Sequence, residues 1–202
     1  MALWPAAEEI WIVLAAARQS LEWLLEWVVI VLMILLTVVV IAAVLVRLAG
    51  DSFSWYDEVA AIQLSWITYY GAALAALKRR HIGFDSVLLS LSLPLRKLAL
   101  VAAEVIVIGF FVLMAWAGML VLEVLEGDRL VSLTWMPVQI TQSIIPIGAV
   151  LFIVCELLSL PDYWRKTVSG ISLEHAEIEE EVEQEMQNAQ AQDKAQDKVG
   201  DR

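Results

Sequence analysis

Long stretches without a charged side chain are the feature of this sequence that most restricts its fold. The first, Val28–Val46, contains a single polar residue, Thr37. A helix needs about 20 residues to cross the ~30 Å hydrocarbon core of a bilayer. Only helices and closed barrels satisfy their backbone polar groups there, and barrel strands alternate in polarity, which this stretch does not. It therefore predicts a transmembrane helix.

Three further stretches have the same character. Val59–Leu77 carries no charge, Leu98–Leu122 is interrupted by Glu104, and Val138–Leu160 includes Glu156 near its end. The chain is 60% hydrophobic, whereas about half is usual in soluble domains. We therefore predict an all-α integral membrane protein whose four-helix domain occupies residues 27–164, with spans at about 28–46, 59–77, 98–122 and 138–160.

Residues 1–26 have a different pattern. Apolar residues fall on one helical face, and charged residues recur at every fourth position on another. The first set is Leu14, Ala17, Leu21, Leu24 and Leu25, and the second is Arg18, Glu22 and Glu26. This pattern predicts an amphipathic helix that lies in the headgroup plane; packing against a partner is the alternative.

The last segment, residues 165–202, is predicted to be a cytoplasmic acidic tail. From Ile171 onward it holds ten acidic residues against three basic ones, and it has no apolar run to bury. Such a composition favours a solvated, partly disordered segment. Residues 171–202 alone carry 3 − 10 = −7 of the formal net charge of −11, and a basic surface for nucleic acid is therefore absent.

The distribution of Lys and Arg predicts the orientation. With four spans, the N-terminal segment, the link between spans two and three and the C-terminal segment share one side. That side holds Arg18, Lys78, Arg79, Arg80, Arg96, Lys97, Arg165 and Lys166, whereas the other two links hold only Arg47 and Arg129. Because basic residues stay in the cytoplasm, both termini are predicted to be cytoplasmic.

Signatures of enzyme chemistry are missing. The two histidines, His81 and His175, stand in a link and in the tail, and Cys155 is the single cysteine. Neither a pair at metal-ligand spacing nor a glycine-rich phosphate loop is present. We predict that the chain is not an enzyme and needs no metal or cofactor; a membrane enzyme that uses His81 is the remote alternative.

The second span offers a candidate contact surface. Gly71 and Ala75 are small residues four positions apart, and Gln63, Trp66 and Tyr70 form an adjacent face. Small residues allow helices to approach closely in lipid. This face is predicted to be a contact surface, either inside the chain or with a partner or lipid.

Glu104 and Glu156 are the acidic residues within the predicted spans. A carboxylate in hydrocarbon marks an ion path by default. Both stand near the predicted cytoplasmic ends of their helices, however, where Arg or Lys can reach them. We assign them to packing or to the lipid interface; the alternative is a self-sufficient homo-oligomeric transporter or channel that uses both.

Two local structural roles are also predicted. Arg79, His81 and Asp85 are expected to form an ordered cytoplasmic turn. Asp57 or Glu58 is expected to cap the second helix, because an acid at a helix N-terminus accepts free N–H groups and complements the helix dipole.

Several motifs together resemble the DctQ-type small membrane subunit of tripartite ATP-independent periplasmic (TRAP) transporters. They are Trp55-Tyr56-Asp57-Glu58, Gly71-Ala72-Ala73, His81-Ile82-Gly83-Phe84-Asp85, Pro94-Leu95-Arg96, Ser132-Leu133, Met136-Pro137 and Ile145-Pro146-Ile147-Gly148. The resemblance covers about residues 27–160 and leaves the N-terminal segment and the tail outside.

This resemblance implies a sodium-driven secondary transporter (a symporter) for organic acids in the bacterial inner membrane. In such a system a large membrane subunit holds the substrate and sodium sites, and a periplasmic substrate-binding protein delivers the substrate. The small subunit resembles a non-catalytic scaffold that anchors the large one among membrane lipids.

Overall fold

The computed structural model describes residues 4–79, 88, 90–169, 182 and 186, with side chains from residue 14 onward. In these ranges the chain forms the helices α1 (Trp4–Leu48), α2 (Tyr56–Lys78), α3 (Leu93–Val124), α4 (Val138–Gln142) and α5 (Ile144–Val168). Within the described ranges, four helical segments are long and apolar enough to cross a membrane: Leu14–Leu48, Tyr56–Lys78, Leu93–Val124 and Val138–Val168. The predicted all-α fold with four spans is confirmed.

The first helix is continuous through residues 26 and 27, where the sequence changes character. With 45 residues it is about 67 Å long at 1.5 Å per residue, more than twice the hydrocarbon thickness. Leu21 and Leu25 pack into a hydrophobic core with residues of α2 and α5. The placement of residues 1–26 in the headgroup plane stays a prediction.

The last predicted span consists of two helices that meet at Ser143. Pro146 lies in the first turn of α5, where an N–H has little helical bonding to lose. The Ser143 hydroxyl donates to the Ile140 carbonyl at 2.7 Å, and the Ile147 N–H donates to the Ser143 carbonyl at 3.2 Å. These bonds satisfy the carbonyls of Ile140 and Ser143 at the break.

The chain forms two compact units. The first comprises Met1–His81 and Ala103–Pro161. Its core contains Leu25, Ala73, Ala76, Leu77, Phe152 and Cys155, and the Phe111 and Phe152 rings stack with centroids 3.6 Å apart. Small residues of α2 thus face large residues of the other helices.

The second unit comprises Ile82–Ala102 and Asp162–Arg202. Its described part joins the first turns of α3 to the last turns of α5. The Arg96 guanidinium donates to the Thr167 carbonyl and to the Leu91 carbonyl, each at 3.3 Å. Leu100 and Thr167 are buried.

Two glycines of the first unit mark close helix approaches. A Cβ at Gly148 would lie 2.7 Å from the Cβ of Tyr69, and a Cβ at Gly118 would lie 2.9 Å from the Cδ of Pro146. Contacts between real Cβ atoms and their neighbours are longer than this. These positions therefore bring α5 against α2 and α3 at distances that only glycine permits.

Candidate functional site

Arg79 ends α2 in the left-handed conformation, with φ 53° and ψ 30°. Its N–H reaches the carbonyls of Ala75 and Ala76, which closes the last helical turn. Helices commonly end this way, but usually with glycine. For another L-residue the conformation costs about 1–2 kcal/mol, so other contacts must hold Arg79 in place.

The Arg79 guanidinium joins three helices. Its Nη1 donates to Glu104 Oε1 and to Glu156 Oε1, each at 2.7 Å. Its Nε donates to Ser159 Oγ at 2.8 Å, and its Nη2 donates to the Glu156 carbonyl at 3.2 Å. We call Arg79, Glu104, Glu156 and Ser159 the Arg79 cluster. It connects the end of α2 to α3 and α5.

Burial makes the cluster electrostatically significant. Glu104 is 9% exposed and Glu156 is 5% exposed. The second carboxylate oxygen of each, Oε2, is buried and has no hydrogen-bond partner among the described residues. Desolvation offsets much of the attraction in a buried ion pair, but removing one member leaves a costly uncompensated charge. The cluster therefore fixes which helix faces meet.

Lys78, next to Arg79, binds the first helix. Its Nζ lies 3.1 Å from Glu22 Oε1 and also donates to Glu26. Arg18 Nη2 donates to the Leu77 carbonyl at 3.2 Å. The charged residues at spacing four in the N-terminal segment thus lie on the side of α1 that faces α2.

Part of the predicted contact surface on α2 contacts other helices of this chain, and part of it has no neighbour within the chain. Trp66 Nε1 donates to the Thr141 carbonyl at 3.1 Å, and its ring meets Tyr70 edge-on with centroids 6.4 Å apart. Gln63 Oε1 is buried without a hydrogen-bond partner among the described residues. Trp66 therefore holds α2 against α4 within the chain.

The small residues behave differently from one another. A Cβ at Gly71 would meet no atom within 4 Å, and Ala75 is half-buried. Ala73 and Ala76 are fully buried. Close packing of α2 thus uses the neighbouring alanines, while Gly71 faces open space within this chain.

Of the two acids at the start of α2, Glu58 bonds to a distant part of the chain. The N-cap position belongs to Trp55, which makes no side-chain capping bond, and Asp57 and Glu58 stand in the first turn of the helix; capping of α2 by either acid stays a prediction. The Glu58 carboxylate instead accepts the N–H groups of Val131 and Ser132 at 3.0 and 2.9 Å, and the Ser132 hydroxyl. Asp57 is exposed in the same turn. Glu58 therefore holds the link that precedes α4.

The predicted turn of Arg79, His81 and Asp85 is described only at Arg79. His81 and Asp85 lie outside the described residues. Sequence reasoning missed Ser159 as a partner of Arg79; the available signal was its position one helical turn after Glu156. It also missed Gly118 and Gly148, although Gly148 belongs to a motif that carried the resemblance.

Metal binding finds no support in the described ranges, where no three His, Cys, Asp or Glu side chains are grouped to hold an ion. The arrangement of the Arg79 cluster is one of mutual bonding between helices.

Comparison with known families identifies the chain's transmembrane region. The family model for the DctQ component of tripartite ATP-independent periplasmic transporters matches residues 36–166, a region that contains the whole Arg79 cluster. None of the curated proteins matches the chain. Because the family match covers well over half of the sequence, the chain belongs to the DctQ family and is a membrane component of a TRAP transporter.

Proposed function

We propose that this chain is the non-catalytic scaffold subunit of a sodium-coupled TRAP transporter for organic acids. It anchors a large membrane subunit that holds the substrate and sodium sites, and a periplasmic binding protein supplies the substrate. Family membership supports its place in the transporter. The Arg79 cluster supports a structural role for this chain, with transport assigned to the large subunit.

The engagement of the two membrane carboxylates is the observation that carries the proposal. A carboxylate that couples ion movement faces a polar cavity or pathway. Glu104 and Glu156 are buried, and each gives one oxygen to the same Arg79 nitrogen at 2.7 Å. Their charges hold helices together. This favours a scaffold over a homo-oligomeric transporter that uses both acids.

The proposed environment follows from the orientation. The Arg79 cluster lies at the cytoplasmic end of the bundle in the bacterial inner membrane, and the link held by Glu58 lies on the periplasmic side. Large apolar side chains such as Ile34 on α1 and Ile106 on α3 are exposed. These sides meet lipid or helices of the large subunit, where packing and hydrogen bonds drive association.

Reconstitution into proteoliposomes tests the proposal. The chain, the large subunit and the binding protein are compared with the chain alone, with an inward sodium gradient and a panel of radiolabelled organic acids. We expect uptake only with all three components, and we expect it to collapse when a sodium ionophore removes the gradient.

Matched variants separate the two transport hypotheses. Glu104→Gln is compared with Asp57→Asn, an exposed acid outside the cluster. We expect Glu104→Gln to lower the yield of the assembled complex, because it weakens a bond between helices, while the uptake per assembled complex stays unchanged. Uptake by the chain alone that disappears in Glu104→Gln would refute the scaffold role.

A further inference from the structure

A basic surface stands out in the second unit. α3 opens with Arg96 and Lys97, and α5 ends with Arg165 and Lys166. The hydrogen bond from Arg96 to the Thr167 carbonyl, at 3.3 Å, joins the start of α3, which carries the first pair, to the end of α5, which carries the second. We call these four residues the basic patch. Among the described residues of this unit, Asp162 is the only acid beside these four basic residues.

The patch combines accessible charge with apolar surface. Lys97, Arg165 and Lys166 are exposed. Leu95 and Leu98, on either side of Lys97 in the sequence, are 53% and 66% exposed. A soluble anion needs only the cations, whereas a phospholipid presents a charged headgroup above an acyl chain. The pairing of lysine with exposed leucine fits the second kind of ligand.

The positions of the two basic pairs along α3 and α5 also favour a phospholipid as the ligand. The apolar stretch of α3 begins at Leu98, directly after the first basic pair, and that of α5 ends near Leu160, shortly before the second. Both pairs therefore lie at the level where the hydrocarbon ends and the headgroups begin. Basic residues at this level attract anionic lipids.

We propose that the basic patch binds an anionic phospholipid, with the headgroup phosphate at Lys97 and Lys166 and the acyl chain along Leu98, where the apolar stretch of α3 begins. Arg96 acts as the positioning residue, because its bonds to the Leu91 and Thr167 carbonyls hold the two helix ends together. The inference depends on these helix ends and not on the transport role.

Lipid titration of the full-length chain tests this site. The purified protein in mild detergent is titrated with dioleoyl phosphatidylglycerol or with dioleoyl phosphatidylethanolamine, which has the same acyl chains and no net charge. Native mass spectrometry counts the bound lipids. We expect clearly tighter binding of phosphatidylglycerol, because a basic residue near the surface changes anionic-lipid affinity by about fivefold.

Paired variants locate the binding. Lys97→Gln with Lys166→Gln is expected to weaken phosphatidylglycerol binding by about 25-fold, fivefold for each lysine, and to leave phosphatidylethanolamine binding unchanged. Arg47→Gln, at the exposed end of α1, is the matched control and is expected to bind like the unaltered protein. Equal losses in the control and in the double variant would overturn the proposal.

A competition experiment distinguishes a lipid from a soluble anion. Millimolar inorganic phosphate is expected not to displace phosphatidylglycerol, and Leu98→Gln is expected to weaken lipid binding several-fold. Displacement by phosphate together with an unaffected Leu98→Gln variant would show a soluble-anion site and overturn the proposal. Unfolding temperatures of all variants confirm that they are folded. Since uptake is measured separately, failure of lipid binding leaves the scaffold proposal standing.

Discussion

Arg79 occupies a backbone conformation that L-residues usually avoid, and its side-chain contacts explain why it persists. The left-handed turn at φ 53° ends α2 and directs the guanidinium to Glu104 and Glu156. Charge-assisted hydrogen bonds are the strong ones, so several of them offset about 1–2 kcal/mol of backbone strain. A glycine would end the helix equally well but would leave both carboxylates without their cation.

Removal of Arg79 should therefore cost more than removal of one acid. In Arg79→Gln two buried carboxylates lose their shared cation, and we expect the free energy of unfolding to fall by about 3–5 kcal/mol. Glu104→Gln leaves one cation with one anion, and we expect a loss of about 1 kcal/mol. Unfolding in mixed detergent micelles measures both. Arg47→Gln, an exposed arginine, is the control; a smaller loss for Arg79→Gln than for Glu104→Gln would contradict the assignment.

Gly148 and Gly71 provide a second matched comparison, because both are helical glycines in very different surroundings. A Cβ at Gly148 would lie 2.7 Å from Tyr69, while one at Gly71 would meet nothing within 4 Å. We expect Gly148→Ala to destabilise the protein by about 1–3 kcal/mol through overpacking. Gly71→Ala should stabilise it by about 0.5–1 kcal/mol, since alanine favours helix. The same unfolding assay measures both variants. Similar changes in the free energy of unfolding for Gly148→Ala and Gly71→Ala would contradict the close contact between Gly148 and Tyr69.

At the scale of elements, the link between α3 and α4 depends on a residue from another helix. The Leu130 N–H donates to the Met136 carbonyl and the Val138 N–H to the Asp128 carbonyl, which folds the link back on itself. Glu58 then fastens it to α2 through Val131 and Ser132. The link is thus ordered both by its own backbone bonds and by the Glu58 carboxylate of α2.

Glu58→Gln should loosen this link. The amide keeps the shape of the side chain but loses the negative charge that strengthens the bonds to both N–H groups. We expect several-fold faster amide hydrogen exchange at Val131 and Ser132, with helix α2 unaffected. Asp57→Asn in the neighbouring position is the control. Unchanged exchange in Glu58→Gln would show that the link's own backbone bonds keep it ordered without Glu58.

The helices themselves were largely predictable from the sequence, because crossing a bilayer demands long uncharged runs. The predicted spans 28–46, 59–77 and 98–122 each lie within one observed helix, and 138–160 falls on α4 and α5. The break at Ser143 was not predicted, although Pro146, which removes one helix hydrogen bond, is a sequence signal for a disturbance in this span.

The rotation of each helix was not predictable in the same way. Polarity along a span reports its depth in the membrane and says little about which side faces a neighbour, since lipid and protein interior are both apolar. The bond from Trp66 to Thr141 joins residues 75 positions apart, and that from Arg79 to Ser159 joins residues 80 apart. The sequence predicted that a basic residue would reach Glu104 and Glu156; that a single arginine holds both emerged only from the fold.

At the scale of the whole molecule, the charge distribution and the Arg79 cluster bear on the same question of orientation. The cluster lies at the end of α2 that continues into the link between the second and third spans, and this link with its flanking helix ends carries five of the chain's 13 basic residues. The opposite link, held by Glu58, is rich in acids. Because insertion retains Lys and Arg on the cytoplasmic side, the ion-paired end of the bundle is predicted to face the cytoplasm and the Glu58 end the periplasm.

Cysteine labelling tests this orientation with little background, since the chain has one cysteine and Cys155 is fully buried. In a Cys155→Ala background, single cysteines replace the exposed Glu126 or the exposed Ser169. We expect a membrane-impermeant maleimide to label Glu126→Cys in intact spheroplasts and Ser169→Cys only after permeabilisation. The unaltered chain, with Cys155 inside the bundle, should remain unlabelled in both conditions. The reverse labelling pattern would invert the topology, and the basic patch and the Arg79 cluster would then face the periplasm.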